Sequence, residues 1–220
     1  MTSPFTAQLI LDLEAVLSPP RFRTYVRASS GDRARAMALY CWNTDVAAAL
    51  YTPLQFAEIT VRNGALDAIV PEFGTNWHRA RGFHYTLPVT VRRMRVRAHL
   101  QDIARRHARP GSAVAELKFA FWQHLFVTAQ DPRLWDKHLR TAFPAIPAQL
   151  TVAEARQQIH DNIQTVRDLR NRIAHHEPII SRDLAADLDA ALALIEWRRP
   201  TVAAWIRTTE RVSGLLAMRP

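Results

Sequence analysis

Residues 151–178 read TVAEARQQIHDNIQTVRDLRNRIAHHEP. Ile159, Ile163, Val166 and Ile173 recur at intervals that fit 3.6 residues per turn and not the alternation of a strand. The spacing predicts an amphipathic helix over 151–176. Pro178 biases Glu177 away from helical angles, so the helix is expected to stop before it. Arg170 falls on the same apolar stripe. A buried guanidinium without a partner is costly. Burial in a subunit interface, or in an internal anion-binding cleft, would account for it.

The same periodicity extends outward from this helix. Glycine is scarce, with 6 residues, and the remaining segments are alanine-rich with helical spacing. The expected fold is all-α, a helical bundle in a single domain over 1–220. Prolines punctuate it into predicted helices at 5–17, 32–51, 53–70, 88–108, 112–129, 132–142, 151–176, 181–197 and 200–217. Residues 72–87 read as the longest loop and 144–150 as a hinge before the 151–176 helix. Ser181 is the expected cap of the helix that follows. Phe119, Phe121, Trp122, Leu125 and Phe126 are apolar nearly all round a helix, which predicts a buried core segment over a base-stacking platform.

Composition bounds the function classes. At 220 residues and 48% hydrophobic, the chain can bury a sizeable core. No apolar run approaches a membrane span, so no membrane partner is expected. The first residues carry Asp12 and Glu14 and no basic stretch, unlike a secretory signal. Cys41 is alone, which excludes a disulfide framework and a cysteine zinc site and favours a cytoplasmic location. The net charge of +9 suits a polyanionic partner. Nearly all the cations are arginine, as a GC-rich coding sequence would also produce, so the charge supports nucleic acid without proving it.

Chemistry concentrates at the end of the 151–176 helix. Arg170, Asn171, His175 and His176 combine a phosphate-clamping guanidinium, an orienting amide and two imidazoles that exchange protons near neutral pH. Such a set can act on a phosphodiester without a metal. Asn171 and His175 are four apart and share a face. Arg170 and His175 are five apart and point roughly 140° away from each other. Either the helix distorts near Pro178 or two copies of the motif meet across an interface. Adjacent histidines diverge, and no third ligand stands at helical spacing, so no metal site and no cofactor are expected. Asp168 lies within a turn of the motif and reads as a surface acid, or as an orienting partner for His175. Arg172 is expected to face solvent.

The motif resembles the R-x4-6-H signature of the HEPN superfamily of RNases. The bacterial Abi-like (abortive-infection) group shows the same order of further segments. These are Ala115–Trp122, Leu134–Trp135, Ala142–Pro144 and Leu169–Ile180, with Ala57–Asp67 similar to that family's first conserved helix. The resemblance spans about residues 35–180. Lys118 and Ala120 depart from it, where a small or polar residue and Gly are more usual; both lie outside the motif. It implies a HEPN-like bundle with additional N-terminal helices, a dimer with a composite site, and cleavage of RNA without a metal. His175 would move a proton at the 2′-hydroxyl or the leaving 5′-oxygen. Arg170 would stabilise the phosphorane and Asn171 would hold phosphate or imidazole. His176 matches a second histidine of the Abi-like group. A phage-defence or toxin role is implied, with an RNA or protein antitoxin as a further partner.

Two other sets carry open alternatives. Glu58 and Arg62, four apart, form either a plain helix ion pair or, with Asn63, a support for the motif helix. Arg92, Arg95, His99 and Arg106 form a stripe on the predicted 88–108 helix, opposite Val89, Val96, Leu100 and Ile103. That stripe reads as a phosphate-tracking surface for RNA, together with Arg172, or as a solvated basic face. A non-catalytic RNA-binding module, using the motif as a clamp, and a purely structural helical dimer are the rival functions.

Overall fold

A computed structural model describes residues 5–90 and 95–220. The described residues form helices and no strand. In chain order these are α1 (Ala7–Leu17), α2 (Pro19–Ala28), α3 (Arg33–Phe73), a 3-10 turn (Trp77–Arg79), α4 (Arg81–Thr86), α5 (Val96–Arg106), α6 (Pro110–Glu116) and α7 (Phe119–Gln123). A second 3-10 turn (Thr128–Gln130) and a wide π turn (Asp131–Trp135) lead to α8 (Asp136–Ala142), α9 (Val152–Ala174), α10 (Leu184–Arg198), α11 (Pro200–Thr209) and α12 (Val212–Ala217). The protein is all-α. No helix among the described residues is long and apolar enough to cross a membrane.

α3 is the spine. It packs on α2, α8, α9, α10 and α12, and α10 packs in turn on α9 and α11. One continuous cluster of buried side chains runs from Phe22 to Val212. Its densest part is aromatic: Trp77, Trp122 and Trp135 are fully buried, and the Phe126 and Trp135 rings stack at 4.3 Å.

α9 is held at both ends. Thr151 caps its start, accepting from the Glu154 amide at 3.2 Å while the Glu154 carboxylate accepts from the Thr151 amide at 2.8 Å. Bonds to the carboxylate from the Thr151 hydroxyl at 2.7 Å and then from the Thr151 amide hold the Glu154 carboxyl below its usual range. Arg156 is buried and forks onto Asp131 at 3.0 and 3.3 Å, tying the first turn of α9 to the π turn.

The expected elements are corrected in several places. Helices 32–51 and 53–70 are one helix of 41 residues with Pro53 and Pro71 inside it. An internal proline costs about 3 kcal/mol. Around it Leu50, Leu54 and Ala57 are buried, at roughly 1.5–3 kcal/mol for each leucine, which outweighs the proline. α2 is unexpected: Pro19 and Pro20 start it, at positions where an amide hydrogen is not needed. α4 lies inside the predicted 72–87 loop. Within the expected 88–108 helix, residues 91–94 lie outside the described residues, 88–90 and 95 are not helical, α5 spans Val96–Arg106, and Val89 is exposed. The 112–129 segment has the predicted buried aromatics but breaks at Leu117 and Lys118 into α6 and α7. The cap of α10 is Asp183, whose carboxylate accepts from the Ala186 amide at 3.0 Å, and not Ser181.

Candidate functional site

The stripe read from the sequence is the seam of α9: Ile159, Ile163 and Val166 are completely buried within the chain's own core. Arg170 holds the expected angular position, yet its side chain is about half exposed. Leu169 and Ile173 continue the apolar contact in the last two turns of α9, but not at the position of Arg170. What faces Arg170 there is Glu58 of α3, whose carboxylate lies 3.8 Å from Arg170 Nε. Arg62 donates to the other oxygen of the same carboxylate. The expectation of a buried, unpaired guanidinium is therefore corrected, and with it the inference of a subunit interface from an exposed apolar stripe.

Glu58 and Arg62 are an i, i+4 ion pair, and Glu58 also faces Arg170 of the motif helix. Asn63 is exposed on α3. Asp168 accepts from Gln164 at 2.7 Å, one turn back and away from His175. A polar ladder precedes the motif along α9. The buried Gln123 of α7 donates to Gln164 at 2.8 Å and accepts from Arg167.

Asn171 and His175 are exposed, and the His175 amide donates to the Asn171 carbonyl at 3.0 Å. The helix ends at Ala174, two residues earlier than predicted, with His175 as its cap. The chain then turns through a left-handed residue, His176, at φ 54°. The His176 amide donates to Ile173 at 3.0 Å and the Glu177 amide to Arg172 at 2.8 Å. This is the 5→2 and 6→1 closure that normally uses glycine. Arg172, expected in solvent, is half-buried, with Nε 3.5 Å from the Glu177 carboxylate. Beyond the turn, the Ile179 amide donates to the buried Asn43 carbonyl at 2.9 Å.

The turn borders a cavity of about 270 Å³ between α1, α2, α3 and the end of α9. Arg21, Tyr25, Tyr40, Asn43, His176 and Glu177 contribute its polar lining. Arg21 also donates to the His176 carbonyl. Burial, reinforced by the neighbouring Tyr40, pushes the Tyr25 hydroxyl up to about 12, with Arg21 opposing. No local pattern marked these residues: Arg21 and Asn43 reach the motif across more than a hundred residues of chain.

The basic stripe is only partly realised. Arg92 lies outside the described residues. Arg95 is exposed just before α5, and Arg106 is exposed but paired with Glu116. His99 is not a surface cation. Its Nε2 is shut off from solvent without a partner. Burial first, and the Lys118 charge second, push its pKa down. Arg97 folds back to donate to the Leu87 carbonyl at 2.8 Å, and Arg105 pairs with Asp102. Among the described residues, no three His, Cys, Asp or Glu side chains are grouped as metal ligands would be.

No family model, curated protein or solved structure matches this chain.

Proposed function

We propose that the protein is a metal-independent endoribonuclease of the HEPN, Abi-like type, acting in the cytoplasm as a phage-defence or toxin protein. The observation that carries this reading is the exposed set Arg170, Asn171 and His175 at the end of α9, with Arg170 tethered to Glu58 beside Arg62. His175 removes the proton of a ribose 2′-hydroxyl or protonates the departing 5′-oxygen. The 2′-oxygen attacks phosphorus, the P–O5′ bond breaks, and a 2′,3′-cyclic phosphate remains. Arg170 stabilises the charge of the phosphorane. Helical spacing to the cap points Arg170 and His175 roughly 140° apart, so a homodimer in which one chain supplies Arg170 and its partner supplies His175 is part of the proposal. An RNA or protein antitoxin would cover the same groups.

The divergence of Arg170 and His175 also favours a second reading, a non-catalytic RNA clamp. Purified protein incubated with total RNA in EDTA separates the two. Cleavage with cyclic-phosphate ends, lost by ~10²–10⁴ in His175→Ala, supports the nuclease. Binding without cleavage supports the clamp. Light scattering on the same sample tests the dimer, and an active monomer would refute the shared site.

A further inference from the structure

We propose that the cavity beside His176 is a base-recognition pocket that selects guanine in the nucleotide next to the phosphate acted on by the motif. This rests on the nuclease reading for its biological use, but the pocket binds the base whether or not the chain cleaves RNA.

Position comes first. His176 lines the cavity and is the neighbour in sequence of His175, so a nucleotide whose phosphate meets His175 has its base within reach of this opening. Size comes second. About 270 Å³ is just below the ~300–1,000 Å³ of pockets that enclose drug-sized molecules, which suits one planar base.

The lining supplies the chemistry. Leu17, Ala47 and Ile173 give apolar walls, and the half-buried Tyr40 ring gives an aromatic surface on which a base can stack. Two residues of opposite charge line the cavity, Arg21 and Glu177, the Glu177 carboxylate standing 3.5 Å from Arg172 Nε. Guanine is the RNA base that presents both matching edges: O6 and N7 accept from a guanidinium, and N1–H with N2–H₂ donate to a carboxylate. Adenine offers one donor group next to one acceptor, and the pyrimidines lack the N7 edge.

Several of these groups are already held in place. The Asn43 amide is fixed because its oxygen accepts from the Ile179 amide at 2.9 Å, which leaves its NH₂ free of rotation. The Tyr25 ring is locked edge-to-face against Tyr40 at 5.1 Å, and its hydroxyl stays a donor at any physiological pH. Arg21 is already anchored on the His176 carbonyl. A site whose groups are fixed before binding loses less entropy on association.

The test is calorimetric titration of the purified protein with the four 3′-nucleoside monophosphates, alongside mapping of RNA cut sites. The wild type should bind 3′-GMP at least tenfold more tightly than 3′-AMP, 3′-CMP or 3′-UMP. Glu177→Gln, on the surface, should remove that preference. Ala47→Phe, which fills the cavity, should abolish binding, with thermal melting confirming the fold. His175→Ala should still bind 3′-GMP. Guanine-selective binding by a protein that cuts no RNA upholds the pocket and sinks the nuclease reading. His175-dependent cleavage whose cut sites are unchanged in Ala47→Phe and Glu177→Gln, with equal or absent binding of the four nucleotides, overturns the pocket and leaves the nuclease.

Discussion

Gly64→Ala is the substitution whose outcome the structure predicts most sharply, because two effects oppose each other. Gly64 lies inside α3, where alanine is intrinsically better by about 0.8–1.0 kcal/mol. A methyl group there would sit 2.5 Å from Phe143 Cζ and 2.7 Å from Cε2. Carbon atoms pack at about 3.5–4.0 Å, so the ring must retreat by roughly 1 Å. Phe143 is completely buried and meets Phe126 edge-on at 6.1 Å, which resists that retreat. Overpacking of this kind costs about 1–3 kcal/mol, here at the upper end. The net expectation is a loss of about 2 kcal/mol, or ~4–8 °C in Tm for a chain of this length. Urea denaturation followed by circular dichroism measures it. Phe143→Leu in the same chain should restore most of the loss, because the shorter side chain vacates the contact. If Gly64→Ala were as stable as the wild type, the close approach of α3 to the Phe143 segment would be wrong. The placement of Glu58 against α9, set by the same helix, would fall with it.

Three further outcomes follow from the site and its surroundings. Glu58→Gln removes the carboxylate shared by Arg62 and Arg170; it should cost about 1 kcal/mol, discounted for the exposure of Arg170, and lower the cleavage rate about tenfold, and unchanged values in both assays would remove Glu58 as a positioning residue. Stability should fall on acidification. His78 is completely buried with Nδ1 unpartnered, and burial first, then Arg79 and His84, pull it below 6.5 against the raising effect of the His107 carbonyl. The folded form therefore takes up its proton later than the unfolded form, so its stabilisation is complete above about 6.5 and is lost as pH falls through the folded pKa. His99 titrates in the same direction. A urea midpoint that did not drop between about pH 7 and 5 would contradict this. Replacing Arg92, Arg95 and Arg106 together with Gln should flatten the salt dependence of RNA binding by at most about 2 in log–log slope. The Glu116 partner of Arg106 makes a smaller change reasonable, but an unchanged slope would mark the stripe as a solvated face.

Periodicity carried the all-helical class and the seam of α9, because apolar spacing records burial directly. Isoleucines 159 and 163 and Val166 lie where that spacing puts them. Proline was the poorer guide. At Pro53 the local penalty is overruled by tertiary burial on both sides of α3, and at Pro19 and Pro20 the residue starts a helix instead of ending one. The aromatic run at 119–126 was legible as core, but the helix carrying it breaks at Leu117 and Lys118. Arg170 shows a limit of a different kind. Its angle on the helix was right, and its burial was not, because the facing residue at that height is Glu58, more than a hundred positions away. The cavity lining was invisible for the same reason. It is assembled from α2, which the sequence did not announce, and from Asn43 reaching the backbone of Ile179.

The turn at His176 gives the tandem histidines separate positions. On a continuing helix they would differ by about 100° and share one exposed end. Instead His175 keeps the cap position, its amide bonded one turn back to Asn171, while His176 enters the left-handed region at φ 54°. Glycine would occupy that position without strain; an L-residue gives up about 1–2 kcal/mol there. Three hydrogen bonds hold the turn, those of the His176 and Glu177 amides and that of Arg21 to the His176 carbonyl. They also aim the following residues: Glu177 at the cavity, and Ile179 onto Asn43. A strained residue kept in place by several neighbours points to a use for its geometry. Under the nuclease and pocket proposals, that use is to leave His175 next to Asn171 for the phosphate and to turn His176 and Glu177 toward the base.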